Sequence, residues 1–384
     1  MNKYVPRLLV LPSEGSETFF LWGPRQTGKS TLLRKAYPAV FRIDLLIPEE
    51  YRRYLERPQL LIDQVRLAGH RFVIIDEIQK VPGLLDAVHW LHENEGVRFA
   101  LCGSSARKVR RGQANLLGGR GLTYELFGFS AHELRSAFDL ERMLNHGYLP
   151  PIYLSEKPER LLNTYVAQYL KEEIAAEGLV RRLPAFSEFL NAASFSDCEV
   201  VSFTNIARET GVSSQTVRGY FDILSDTLLG KFVPSYRHRP KRRAVGSPKF
   251  YFADVGMVNF LARRGRIVVG SELFGKAFEN WVFHELCAYN SYREVFAHLA
   301  YWRLPSGIEV DFVVNHVDCA VESKAVRIVT DRHLKGLREL AREYPEAKRL
   351  LMVSLDEKDR MTEDGIEIYH YQSFLERLWS GSLY

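Results

Sequence analysis

Three observations predict an α/β fold assembled from several parts. A four-residue apolar run at 19–22, FFLW, is too short for a helix and runs straight into a glycine-spaced loop. Apolar segments of strand length then alternate with helical ones as far as residue 126, which predicts a parallel sheet covered on both faces. Beyond that point the pattern turns helical, and near residue 266 it returns to a helix followed by strands.

The loop after the first run is G-x-x-x-x-G-K-S, from Gly23 to Ser30, in the strand–loop–helix setting that a phosphate-cradling loop requires. Gly23 and Gly28 let the loop that runs from Pro24 through Arg25, Gln26 and Thr27 curl its successive backbone N–H groups around an anion, Pro24 alone having none to give. The helix opening near Lys29 adds its positive end, and Thr31 extends its first turn. Lys29 is a point charge within reach of β- and γ-phosphates, and the Ser30 hydroxyl suits Mg²⁺. ATP and Mg²⁺ are the expected cofactors.

The following strands are expected at 41–45, 71–76, 97–102 and 122–126, with helices at 58–68 and 82–92 opened by prolines. FVIIDE delivers Asp76 and Glu77 to a strand's carboxyl end, where open α/β sheets bind ligands. Asp76 suits Mg²⁺, and Glu77 suits orientation or deprotonation of an attacking water. Ser104, closing the next strand in FALCGSS, is placed to sense the γ-phosphate or simply to make a turn. Arg120, in NLLGGRG, is either an arginine finger or a surface arginine. Ser130 and Glu133 form an S-x-x-E capping box.

Taken in order, FFLWGPRQTGKSTLL, FVIIDEIQKVP, ALCGSSA, LLGGRG and FSAHEL resemble a large group of prokaryotic AAA-type ATPases in which a region of unknown function follows the ATPase domain. The resemblance implies that Lys29, Ser30, Asp76 and Glu77 bind and hydrolyse ATP. It also implies that Ser104 is the sensor and that Arg120 acts in trans, within a homo-oligomer. GYLPPIYL at 147–154 departs from the pattern, which expects a second glycine and an acidic residue there.

In the middle third a continuous helix is expected over 158–178. The stretch 202–229 has the rhythm of a helix-turn-helix, with Ser202 or Thr204 as first cap, Gly211 as turn, and Ser213 or Ser214 as second cap. Strands at 232–236 and 249–252 would form a wing. Between Lys231 and Lys249 lie Arg237, Arg239, Lys241, Arg242 and Arg243 without an acid, a basic tip suited to phosphates. With Arg218 on the second helix, these arginines and Lys241 are the candidate DNA contacts, mostly independent of base sequence. Contact with other domains or subunits is the competing use of such a module.

The last third, from GKAFENWVFHEL through LAYWRL, IEVDFVVN and CAVESKA, resembles the PD-(D/E)xK nuclease core. The resemblance places Glu279 on the leading helix, Asp311 within a strand, and Glu322 and Lys324 on one face of the next. Glu279, Asp311 and Glu322 could hold Mg²⁺ with Lys324 positioning water, or Asp311 and Lys324 could be a structural ion pair. The expected fold class is thus an α/β parallel-sheet P-loop AAA-type ATPase domain (1–135), a helical linker with a winged helix (136–265), and an α/β nuclease-like domain (266–384).

Composition sets outer bounds. The 384 residues are 46% hydrophobic and 26% charged, ordinary for a globular chain with a large core. No apolar run approaches the roughly 18 residues of a membrane span, so no membrane role is expected. The net charge of +5 argues against a general nucleic-acid coat. Cys102, Cys198, Cys287 and Cys319 lack metal-ligand spacing and read as free thiols of a cytoplasmic protein.

Overall fold

The computed structural model describes residues 4–105, 121–170, 183–237 and 246–384. The chain forms two compact units. The first comprises residues 1–128 with 226–228, and the second the remainder.

The first unit is organised by a five-stranded, wholly parallel sheet of β1 (Phe19–Trp22), β2 (Phe41–Asp44), β3 (Phe72–Asp76), β4 (Arg98–Gly103) and β5 (Leu122–Glu125), in the spatial order β2-β3-β4-β1-β5. All four residues of β1 are buried, as expected of a central strand covered on both faces. On one face Phe20 stacks on Trp22 and joins Ile43, Ile75, Phe99 and Leu101. On the other, Phe19 meets Tyr37, Phe72 and Tyr124 at ring separations of 5.7–6.5 Å. The chain leaves β1 for the far edge, returns through β3 and β4, and crosses to β5. The carboxyl ends of β1, β4 and β3 therefore lie side by side, the place where such sheets bind ligands.

Helices Lys29–Ala36, Leu60–Ala68 and Leu84–Glu95 supply the covering layers expected, the last two starting two residues after their prolines. The helix Pro48–Glu56 is an addition to the sequence reading; it buries only Tyr54, so its apolar stripe is too thin to announce itself.

The second unit contains two cores. A helical one gathers Phe189, Phe221, Phe250 and Ile206 around helices Leu183–Phe195, Phe203–Thr210 and Ser214–Asp226 and a small antiparallel sheet, order β6-β8-β7. Here β6 is Glu199–Val200, β7 is Gly230–Val233 and β8 is Lys249–Phe252. Ser202 caps the first of the paired helices through Asn205 N, Gly211 turns the chain at φ 64°, and Ser213 caps the second through Thr216 N. The strand expected at 232–236 lies earlier, at β7. The helix that begins at Pro158 is α-helical to Thr164 and continues as a π-helical turn, Tyr165–Leu170; the remainder of its expected length lies outside the described residues.

The other core belongs to a six-stranded mixed sheet, β13-β14-β12-β11-β10-β9, with β9 Leu299–Arg303, β10 Glu309–Val314, β11 Cys319–Lys324, β12 Leu350–Ser354, β13 Arg360–Met361 and β14 Ile366–His370. β9, β10 and β11 form an antiparallel meander, while β12 joins β11 in parallel after the helix Lys335–Glu343. Asn280, on the 21-residue helix Glu272–Tyr292, ties the two cores into one unit. Its amide donates to Asp197 and to Phe252 O, and its Oδ1 accepts from Tyr148 Oη at 2.8 Å. This convergence explains why the middle and C-terminal stretches, separate by sequence pattern, pack together.

Candidate functional site

The loop between β1 and the helix Lys29–Ala36 is shaped by close backbone approach. A Cβ on Gly23 would lie 2.3 Å from Leu126 O, so only glycine fits there. Gly28 caps the helix at φ 95°, a left-handed geometry that glycine adopts without strain. Thr27 Oγ1 donates to Pro24 O at 2.8 Å, closing the loop on itself. The Lys29 ammonium is buried and donates to Gly23 O (2.8 Å) and Pro24 O (3.0 Å), so it points back over the loop. Arg7, far upstream in sequence, donates to Thr27 O at 2.6 Å and to Phe127 O and Gly128 O at 2.7 and 3.1 Å.

Two strands away, β3 ends in Asp76, which is 1% exposed and whose Oδ1 has no hydrogen-bond partner in the structure. A buried carboxylate oxygen left so is costly unless a cation meets it. Glu77 follows at φ 60°, a conformation that strains a non-glycine residue and re-aims its side chain. Gln79 then donates from Nε2 to Glu77 Oε2 at 2.5 Å and to Ser104 Oγ at 3.0 Å. The structure thus brings Glu77 and Ser104 together through an amide that the sequence reading did not single out. The buried Cys102 thiol, at the end of the intervening β4, is pushed well up by burial and by the Asp76 charge, while Lys29 pulls it down; it sits within the fields of both. A loop of backbone N–H groups, an ammonium and an unpartnered carboxylate oxygen fit a magnesium-bound triphosphate. Ser30, at the second position of the helix, is half-buried beside this group. Arg120 lies outside the described residues.

The C-terminal candidates also converge. Asp311, fully buried on β10, accepts from Ser323 N and Ser323 Oγ, both at 2.8 Å. Glu322 accepts from Asp311 N at 3.3 Å and pairs with Lys324 at 2.6 Å. Glu279 reaches the same neighbourhood from the long helix, but its partner is Lys249, the first residue of β8, at 3.0 Å. Lys249, read from sequence as the end of a basic run and the start of a wing strand, is 1% exposed. Its ammonium also lies 3.6 Å from Glu309 and 3.7 Å from Asp311. Tyr251 Oη donates to Glu279 at 2.6 Å. Burial, aided by the Asp311 charge, pushes Glu279 up to about 7 against the pull of Lys249. Burial pushes Glu322 up to about 8. Burial works the same way on Asp311, but Lys324 and Lys249 outweigh it and hold that carboxyl below its ordinary value. A second acid on the same helix, Glu285, is structural: it accepts from Ala131 N and Trp379 Nε1. Among the described residues no group of three or more His, Cys, Asp or Glu is arranged to hold a metal ion.

Of the expected DNA contacts, Arg218 is exposed with its guanidinium 4.2 Å from the Phe203 ring centroid, and Arg237 is exposed beyond β7. Arg239, Lys241, Arg242 and Arg243 lie outside the described residues. Among the described residues no helix is long and apolar enough to cross a membrane.

Comparison with known proteins adds three matches along the chain. Residues 15–135 match a family described as AAA domain, residues 137–266 a domain of unknown function (DUF8612), and residues 274–374 another (DUF4143). Uncharacterized proteins of Mycobacterium tuberculosis and Mycobacterium bovis are each 27% identical over 306 residues, covering 77% of this chain and 66% of theirs. One from Haemophilus influenzae is 24% identical over 233 residues, 56% of this chain and 57% of its own. The chain thus spans a little under two thirds of these relatives. A solved signal-transduction ATPase with numerous domains and a tetratricopeptide-repeat sensor, from Pyrococcus horikoshii, aligns at 13% identity over 73% of this chain and 46% of that one; its TM-score of 0.22 is too low to carry an argument. The phosphate-loop geometry falls inside the stretch that matches the AAA domain, residues 15–135, and the two observations together support an AAA-type ATPase there.

Proposed function

We propose that the protein is an Mg²⁺-dependent ATPase that acts on DNA. Its three parts would be the ATPase domain (1–135), a winged-helix middle (136–265) and a nuclease-like C-terminal part (266–384). The observation that carries the ATPase reading is the unpartnered, buried Asp76 Oδ1 at the end of β3, two strands from the one whose loop holds Lys29. In this reading the loop from Gly23 to Thr31 binds the phosphates, with Ser30 and Asp76 holding Mg²⁺. When bound, that ion neutralises charge on the phosphates. Glu77 aligns and deprotonates water, Gln79 fixes the Glu77 carboxylate, and Ser104 senses the γ-phosphate through the same amide. Arg120 acts across a homo-oligomer interface.

The DNA reading is supported by the capped helix pair, by the β6-β8-β7 sheet beside it, and by the basic stretch between β7 and β8. The nuclease-like reading is supported by the order helix, antiparallel meander, helix, parallel strand, and by the meeting of Glu279, Asp311, Glu322 and Lys324 in one place. The test is ATP turnover with and without duplex and single-stranded DNA at 50 and 200 mM salt. Stimulation at low salt that fades at high salt is expected. Turnover indifferent to DNA at both would favour a nucleotide-gated adaptor that binds protein partners.

A further inference from the structure

β8 reads KFYF, and Phe250, Tyr251 and Phe252 are each at most 1% exposed. A lysine opening such a strand would ordinarily lead its charge to solvent. Lys249 does the reverse. Its ammonium is enclosed by Glu279 from the long helix, Glu309 and Asp311 from β10, and the Tyr301 ring of β9 at 5.6 Å. Carboxylates converging from separate elements on one cation are the arrangement a divalent metal ion ordinarily commands. We propose that the Lys249 ammonium is the resident cation of this acidic cluster, standing where a divalent ion would have to sit, so that the nuclease-like part binds without cutting.

The remaining donors agree with this assignment, which rests on the nuclease-like reading above. Most of the oxygens a metal would need are already engaged by the protein. Glu279 Oε1 takes both Lys249 and Tyr251; Asp311 Oδ2 takes two bonds from Ser323. Glu322 is divided between Lys324 and the Asp311 amide. Asp311 Oδ1 has no hydrogen bond, and it faces Lys249 at 3.7 Å. A dication there would be pressed against a buried ammonium, which repels it at short range in a medium that screens poorly. Lys324, paired to Glu322, is likewise held as a counter-ion. The cleft of about 540 Å³ alongside, lined by Lys276, Glu279, Arg303 and Glu309 among others, already carries the ion pairs Lys276–Glu199 and Arg303–Glu309.

The experiment is Mn²⁺ binding to the full chain without nucleotide, followed by electron paramagnetic resonance, alongside nicking of supercoiled DNA with Mg²⁺ or Mn²⁺. Wild type is expected to show no saturable Mn²⁺ site that Asp311→Asn removes, and no nicking. Lys249→Met, which keeps the stem and removes the charge, is expected to gain one Mn²⁺ per chain, and adding Asp311→Asn to remove it. A saturable site in wild type that Asp311→Asn abolishes would overturn the proposal, as would a folded Lys249→Met that binds nothing. If Lys249→Met does not fold, the wild-type measurement decides, with Lys249→Arg expected to fold and remain free of Mn²⁺. DNA retention by the same wild-type sample is read separately. Its absence would remove the DNA reading while leaving the cation assignment standing.

Discussion

Both units hold a buried lysine and buried carboxylates on or next to buried strands, yet the two groups are finished differently. In the first, Lys29 is bonded only to backbone carbonyls of its own loop, and Asp76 keeps an oxygen without a hydrogen-bond partner. In the second, Lys249 and Lys324 are bonded to the very acids beside them, Ser323 and Tyr251 take up further oxygens, and Asp311 Oδ1, without a hydrogen bond, faces the Lys249 ammonium at 3.7 Å. One cluster leaves its charges for a ligand to complete; the other completes itself. Buried ion pairs that close on themselves hold a fold in register, whereas unpaired groups store the cost that a ligand later relieves. A motif match tells these cases apart poorly, since the residue types are the same in both.

The largest expected effect breaks the comparison at its catalytic end. Glu77→Gln should still bind ATP but lose turnover by about 10²–10⁴-fold. Gln79→Ala should lose about 10–100-fold through misplacement of Glu77, with KM nearly unchanged. Steady-state phosphate release and calorimetric ATP binding check both. Turnover unchanged in Glu77→Gln would remove its assigned role, and a rise in KM alone in Gln79→Ala would make that residue a binding contact.

Stability sharpens the comparison. Asp311→Asn breaks a closed cluster and should cost about 3–5 kcal/mol in urea unfolding. Asp76→Asn removes a charge with no bonded partner on Oδ1 and should change stability by at most about 1 kcal/mol, upward being the expected sign. Equal losses in the two variants would erase the distinction drawn between the clusters.

A smaller effect concerns a buried acid with no lysine beside it. Asp254 accepts from the backbone N–H groups of Tyr148, Met257, Leu149 and Gly256, and burial pushes it up to about 6. The native state therefore holds this proton to higher pH than the unfolded chain does. Its contribution, on the order of 3 kcal/mol, is present in full below about pH 3.8 and is lost as pH rises through about 6. Stability measured from pH 4.5 to 7 should decline for wild type, and the decline should be shallower in Asp254→Asn. A slope unaltered by the substitution would assign the pH dependence elsewhere.

The parts legible in the sequence were those carried by neighbours in the chain. β1, the glycine loop, its helix, and the acids ending β3 all follow from a contiguous stretch, and the capping box at Ser130 and Glu133 forms as spaced. The caps of the helix pair were equally local. What the sequence reading missed arrives from a distance. Gln79 meets Ser104 across 25 residues, Arg7 meets Thr27 across 20, and Lys249 meets Glu279 across 30. Lys249 did leave a trace: a lysine opening an aromatic strand fits poorly with a solvated wing tip, and its grouping with the surrounding arginines hid this. The π-helical turn after Thr164 left none, because its apolar spacing serves a continuous helix equally well.

Arg7 gives the first unit a mechanical property. One guanidinium spans the Thr27 carbonyl, inside the loop, and the carbonyls of Phe127 and Gly128, where the chain takes leave of this unit. A planar, rigid fork transmits displacement better than a flexible ammonium. Any shift of the loop's backbone by a few tenths of an ångström is therefore felt at the exit strand's end without crossing the sheet, which makes that arginine a strut between cargo and tether.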